Sequence, residues 1–190
     1  NDKFKIAKNF EAVDRRPYKL ESPFSDDKAQ RGAIPLQIGD QTIRVTGKID
    51  RIDRISTSGG DRLIVMDYKT GTKPIPNSEI ERGRVFQMMI YLMALEAMRA
   101  SDPSVPPVAG GMFVHVSNEL TSGVLNLSIE KDQASMEQGI AQLSTQLKSG
   151  RSGNFAARAT AAEAGRCSTS CEFHQFCRMS VTYRKKALPT

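Results

Sequence analysis

The chain has 190 residues, with 39% hydrophobic residues and a formal net charge of +6. That length suits one domain, or one domain with a small appendage, and the basic balance favours an anionic partner such as nucleic acid or an acidic membrane surface. The longest mostly apolar stretch, residues 85–95, is too short for a bilayer, which takes about 20 residues, and no signal segment opens the chain, so a cytoplasmic protein with no membrane partner is expected.

Taken in order, Asn1–Arg16 is mixed and charged and reads as the tail of a helix. The start at Asn1 rather than methionine leads us to expect a fragment of a longer polypeptide. A short extended segment is expected around Tyr18–Glu21. Ile34–Ile38 alternates apolar and polar residues, and Gly39-Asp40 turns it into a strand over Gln41–Asp50. Ile43, Val45 and Ile49 occupy alternate positions of that strand. Ser56–Asp61 is a cluster of turn formers, and the run Arg62–Thr70 is apolar and β-branched, so the two arms form an antiparallel hairpin.

A linker with two prolines, residues 72–77, precedes a helix expected over Glu79–Ala100, with Ser78 and Glu81 as a capping box and Pro103, Pro106 and Pro107 beyond its end. Val108–Val116 and Val124–Ile129 read as a strand pair. Met136, Ile140, Leu143 and Leu147 fall at helical spacing, so Lys131–Lys148 reads as an amphipathic helix. From residue 151 the chain becomes small and polar and then carries all three cysteines, which divides it into a core, 1–150, and a tail, 151–190. There is no phosphate-binding P-loop, so this chain alone is not expected to hydrolyse ATP.

The hairpin register has a chemical consequence. If Ile55 pairs with Arg62, Asp50 falls opposite Asp67 and Lys48 opposite Lys69. Asp67 and Lys69 are two apart and share a face. Two carboxylates opposed across a sheet repel, by up to about 1 kcal/mol, unless a cation lies between them. A divalent metal fits that position. Asp53, three residues from Asp50, points to the other face and is expected in a surface or ion-pairing role. The bland alternative is a pair of solvated acids beside a lysine.

The order G-K-I-D-R-I-D (47–53), D-Y-K-T-G (67–71) and Q-M-M-I-Y (87–91) resembles the RecB-like branch of the PD-(D/E)xK nuclease superfamily, over roughly Glu21–Tyr91 and a C-terminal cysteine cluster. The resemblance implies a mixed α/β restriction-endonuclease-like core with flanking helices. It also implies a Mg²⁺- or Mn²⁺-dependent deoxyribonuclease in DNA repair, an exonuclease working with a helicase domain or partner protein on DNA ends. Asp50, Asp67 and the carbonyl of Tyr68 would hold the metal, with Glu21 as a candidate further ligand. Lys69 would orient or deprotonate the attacking water, and Gln87 and Tyr91 would face the site from one side of a helix. Arg51, Lys73, Arg82 and Arg84 are candidate phosphate contacts.

Many relatives carry a histidine or glutamate on a helix before the first strand. Neither His115 nor His174 stands there. Cys167, Cys171 and Cys177 resemble the triplet that, with an upstream fourth cysteine, holds a 4Fe-4S cluster in related nucleases. Zinc with His174, or three free thiols, are the competing readings. A catalytically silent, nuclease-like scaffold that binds DNA or a partner is the alternative function, and a junction resolvase or restriction-type nuclease a third.

Overall fold

A computed structural model describes residues 10, 14–24, 33–117 and 120–154. Cys167, Cys171, Cys177 and His174 lie outside the described residues. The chain divides into two compact units, 1–147 and 148–190. All the strands among the described residues belong to the first.

Five strands form the main sheet: β1 (Asp14–Phe24), β4 (Gly47–Thr57), β5 (Gly60–Lys69), β6 (Val108–His115) and β7 (Leu120–Asn126), in that spatial order. β2 (Ile34–Ile38) and β3 (Gln41–Val45) form a separate two-stranded sheet. Three helices complete the described fold: α1 (Asn77–Glu81), α2 (Gln87–Ser101) and α3 (Glu130–Arg151). β5 and β6 run parallel, joined by the crossover through α1 and α2, and the other pairs are antiparallel. The strand β5, with covered neighbours on both sides, reads as a continuous apolar run, Leu63–Met66, as a buried parallel strand should.

The register expected from the turn holds. Ile55 pairs with Arg62, and the ladder continues to Arg51 opposite Met66 and to Thr57 opposite Gly60. The turn is tight, with Thr57 Oγ1 accepting from Gly59 N–H at 3.2 Å and donating to Gly60 O at 2.8 Å. A tight turn leaves little freedom for slippage, which is why so short a signal fixed the pairing.

Four boundaries differ from expectation. Gln41–Asp50 is not one strand, because the chain leaves the β2–β3 sheet at Thr46 and enters β1 pairing at Gly47. Gly47 lies opposite Phe24, whose ring occupies the space a Cβ would take, so only glycine fits there. The helix expected over Glu79–Ala100 is broken into α1 and α2. Gly83 adopts φ +65 between them, its carbonyl accepting from Gln146 Nε2 at 3.0 Å. Ser78 lies within α1, whose N-cap is Pro76 with no side-chain capping bond, so the capping box is not formed. β7 starts at Leu120 rather than Val124, and β1 is far longer than Tyr18–Glu21.

The main core is the layer between the sheet and the helices. Ile52, Leu63 and Val65 from the sheet pack with Met88, Met89, Leu92 and Leu95 of α2, and with Leu36 and Ile38 of the small sheet. A second cluster, Ile55, Ile64, Met66, Met112 and Val114, lies on the other face of the sheet with Phe10. Alternation along β5 therefore puts Leu63, Val65, Asp67 and Lys69 on the α2 face. No helix among the described residues is long and apolar enough to cross a membrane.

Candidate active site

The ends of β4 and β5 bring the predicted residues together. Asp50 and Asp67 stand one position beyond the Arg51–Met66 pair, and Asp50 Oδ2 accepts the Tyr68 backbone N–H at 2.9 Å. Asp67 is buried. Its buried Oδ2 pairs with Lys69 Nζ at 2.6 Å, and no second donor reaches it among the described residues. Burial pushes the Asp67 carboxyl above its usual value, the Lys69 ammonium pulls it partly back, and Asp50 adds to the rise.

Lys69 is held on three sides. Besides Asp67, its Nζ donates to Gln87 Oε1 at 2.6 Å and lies 5.0 Å from the centre of the Phe113 ring. Gln87 Nε2 in turn donates to the Tyr91 hydroxyl at 2.9 Å. An ammonium only donates, so the amide oxygen of Gln87 must face Lys69 and its NH₂ must face Tyr91. Burial, the largest cause, raises the Tyr91 hydroxyl pKa, so Tyr91 stays protonated and can donate into the site. Its ring packs edge-on against Phe24 at 5.7 Å. The helix break at Gly83 explains this arrangement, because α2 starts afresh at Gln87 and puts that side chain in its first turn, over the end of β5.

Other expected residues are engaged elsewhere. Glu21 falls opposite Asp50 in the β1–β4 ladder, between the Leu20–Arg51 and Ser22–Ile49 pairs, with φ 46. It is the one non-glycine residue with positive φ among the described residues. Its carboxylate is paired with Lys48, not with the two aspartates. Lys48 lies against Glu21 and opposite Pro23 on the β1 side, and the β4–β5 ladder ends at Arg51–Met66, short of the expected Lys48–Lys69 pair.

Arg51 is committed to Asp53, with Nε–Oδ1 at 2.6 Å and Nη2–Oδ2 at 3.0 Å, and its Nη1 donates to Tyr68 Oη at 3.2 Å. Asp53 also meets Arg15 at 3.3 Å and is fully buried. The ion-pairing role expected for Asp53 is seen, the surface position is not. Arg82 and Arg84 both pair with Glu79, at 3.7 and 3.2 Å. Lys73 is exposed on the loop after β5.

That loop is latched by residues whose role no sequence motif announces. Buried His115, the ladder partner of Lys69, contacts Gly71 O through Nδ1 at 2.6 Å and Ser122 Oγ through Nε2 at 2.8 Å. Ser122 Oγ also accepts from Ile75 N–H at 3.0 Å. One proton arrangement satisfies all three contacts: Nδ1–H donates to Gly71, and the Ser122 hydroxyl donates to Nε2. Only the parallel β5–β6 register reveals this latch, and likewise the place of Phe113 opposite Asp67.

Among the described residues no three Asp, Glu, His or Cys side chains converge as a metal cage. The acidic side chains that do come near one another are the carboxylates of Asp50 and Asp67. That set of hard oxygens suits Mg²⁺ or Mn²⁺, which keep several waters, better than zinc.

The chain is similar to one component of the ATP-dependent helicase/deoxyribonuclease in several bacteria. It is 32% identical over 107 residues to that protein from Acetivibrio thermocellus, covering 55% of this chain and 9% of the relative. Against the protein from Lacticaseibacillus casei the figures are 30% over 122 residues, 62% and 10%, and against that from Exiguobacterium sibiricum 34% over 99 residues, 50% and 8%. The chain thus spans about a tenth of the length of these relatives. The family model described as PD-(D/E)XK nuclease superfamily matches residues 3–178, nearly the whole length. With the α/β core and the paired aspartates beside Lys69 already in place, that match makes the chain a member of the PD-(D/E)XK nuclease superfamily.

Proposed function

We propose that the chain is a metal-dependent deoxyribonuclease, the nuclease part of a cytoplasmic helicase–nuclease that trims DNA ends in repair. The observation that supports this most is Asp67: a buried carboxylate next to a second acid, Asp50, with Lys69 as its one cationic partner. Burying two neighbouring acids with one lysine between them is costly, which a binding site justifies and a scaffold does not.

Asp50, Asp67 and the Tyr68 carbonyl would hold Mg²⁺ or Mn²⁺. When bound, the ion supplies a water of lowered pKa and positive charge against the phosphate oxygens. The remaining chemistry belongs to the chain. Lys69, aligned by Asp67 and Gln87, orients the attacking water and offers its remaining N–H to the charge developing on the phosphoryl group. Tyr91, neutral and fixed by Gln87, donates a hydrogen bond into the same space. Lys73 and the Arg82–Arg84 pair contact backbone phosphates, while Arg51 acts through Tyr68 instead. Glu21 joins the aspartates only by leaving Lys48.

Binding to backbone phosphates makes affinity fall with salt and depend little on sequence. The cysteine triplet is assigned to a 4Fe-4S cluster completed by a cysteine from outside this chain, checked by iron and acid-labile sulfide content.

The test is cleavage of linear single- and double-stranded DNA with Mg²⁺, Mn²⁺ or EDTA, beside Asp67→Ala and Lys69→Ala. Metal-dependent cleavage lost in both variants is expected. DNA binding by the unsubstituted chain with no cleavage under any metal would favour the scaffold reading.

A further inference from the structure

The exposed large apolar side chains are not scattered. Of the five among the described residues, Leu20 (63% exposed), Tyr68 (40%), Val116 (52%) and Leu120 (36%) lie at one end of the main sheet, and only Ile129 lies elsewhere. It is the end that carries Asp50, Asp67 and Lys69. Leu20 is the ladder partner of Arg51, Tyr68 follows Asp67, Val116 follows His115, and Leu120 is the ladder partner of His115. Single exposed apolar residues need no explanation, but Leu20, Tyr68 and Val116 share one face of this strand end, with Leu120 on the other, and such a grouping marks a surface kept for something.

The centre of this lip is unusually well fixed. The Tyr68 hydroxyl accepts from Arg51 Nη1 at 3.2 Å, and that guanidinium is itself clamped to Asp53 by bonds of 2.6 and 3.0 Å. An exposed aromatic ring whose far end is tethered loses little freedom when a flat partner stacks on it. Alternation puts the Tyr68 ring on the face opposite Asp67 and Lys69, and β5 ends at Lys69. A polynucleotide whose phosphate meets Asp67 and Lys69 therefore rounds the strand end beside Tyr68. Two exposed lysines border the lip. Lys48 stands two residues before Asp50, and Lys73 two after Gly71.

We infer that this lip is a stacking platform for an unpaired base of single-stranded DNA next to the phosphate to be cut. Tyr68 takes the face of the base, and Leu20 and Val116 shield it from water. The inference rests on the nuclease reading and adds the substrate class to it. Bases inside a duplex hide their faces against their neighbours, whereas a single strand offers every face, and stacking of this kind is tolerant of sequence.

The experiment is fluorescence anisotropy in EDTA, where nothing is cut, with a short single-stranded oligonucleotide and the same strand carrying consecutive abasic sites. Wild-type chain, Tyr68→Ala and Tyr68→Phe are compared, each with a thermal melt. Both substitutions leave the Tyr68 carbonyl in place.

We expect the wild type to bind the intact strand roughly ten-fold more tightly than the abasic one, the scale of one base–aromatic stack. Tyr68→Ala should lose that difference and bind both at the abasic level, while Tyr68→Phe should keep it. An equal loss on both strands, or no loss, overturns the platform and leaves the lip to a protein surface. With the metal-loaded cleavage assay run alongside, Asp67-dependent cleavage beside no base dependence of binding would overturn the platform alone. Absence of both binding and cleavage would overturn the nuclease reading with it.

Discussion

Asp53 and Asp67 sit on adjoining strands of one hairpin, both buried, and their surroundings differ in kind. Asp53 has Arg51 on both oxygens and Arg15 on one of them. Asp67 has one lysine, on Oδ2 at 2.6 Å, and Asp50 as a like-charged neighbour. The first carboxylate is finished by the fold, and the charge it carries is cancelled within the second core. The second is left open at the strand end where α2 delivers Gln87 and Tyr91. A buried acid that the fold completes is structural, and one that the fold leaves short is held ready for a ligand.

Swapping the consequences of the two aspartates is the strongest way to break this contrast. Asp67→Ala should lower cleavage by about 10³-fold or more, since it removes both a candidate metal ligand and the partner of Lys69. Its melting temperature should stay level or rise, because an ill-served buried charge has gone. Asp53→Ala should do the reverse. Two arginines lose their buried counter-charge, at a cost of about 3–5 kcal/mol, while the surviving folded fraction still cleaves. Denaturant unfolding beside cleavage rates decides it. If Asp53→Ala is neutral in stability and Asp67→Ala severely destabilises, the two roles have been misassigned.

The same contrast predicts a pH signature. The Asp67 carboxyl is raised above its usual 3.8, chiefly by burial, so the folded chain holds that proton more firmly than the unfolded chain does. Stability from this residue is therefore gained as pH falls through the raised value towards 3.8, and lost as pH rises through the same window. Asp67→Asn keeps the neutral shape, so its advantage over wild type should be largest at neutral pH and shrink on acidification. Cleavage by the wild type should rise with pH over that window, as the carboxylate becomes available. A constant difference between the two proteins across the acidic-to-neutral range would contradict the assignment.

Much of this site was legible because its parts are local. The Ser56–Asp61 turn set the hairpin register, the register placed Asp50 beside Asp67, and four-residue spacing put Gln87 and Tyr91 on one helix face. What stayed hidden depended on distant partners. Arg15 lay in a segment that reads as a charged tail, so nothing near Asp53 announced its burial. Gly83 sits between two helical patterns that run into one another, and only its contacts with α3 reveal a break. The His115 latch needs a parallel neighbour that arrives more than 40 residues after Lys69. Glu21 matched the family in place, yet its side chain went to Lys48, a pairing between strands that no spacing rule reports.

The smallest expected effect sharpens the comparison most finely, because it concerns only how the open site is aimed. Gln87→Ala removes the amide that Lys69 and Tyr91 share, without touching either aspartate. Lys69 keeps its ion pair with Asp67 but loses the partner that sets its direction. The expected result is a roughly ten-fold fall in kcat with KM little changed, the scale of losing one positioning hydrogen bond to a charged group. Tyr91→Phe should cost less, a few-fold, since Gln87 still faces Lys69 when only its other end is freed. Gln87→Glu offers Lys69 a second carboxylate in the same place. If orientation is what Gln87 supplies, that variant should recover much of the lost rate at a pH where the glutamate is charged. If Gln87 merely fills space, Gln87→Glu should cleave like the wild type at every pH and Tyr91→Phe should cost nothing.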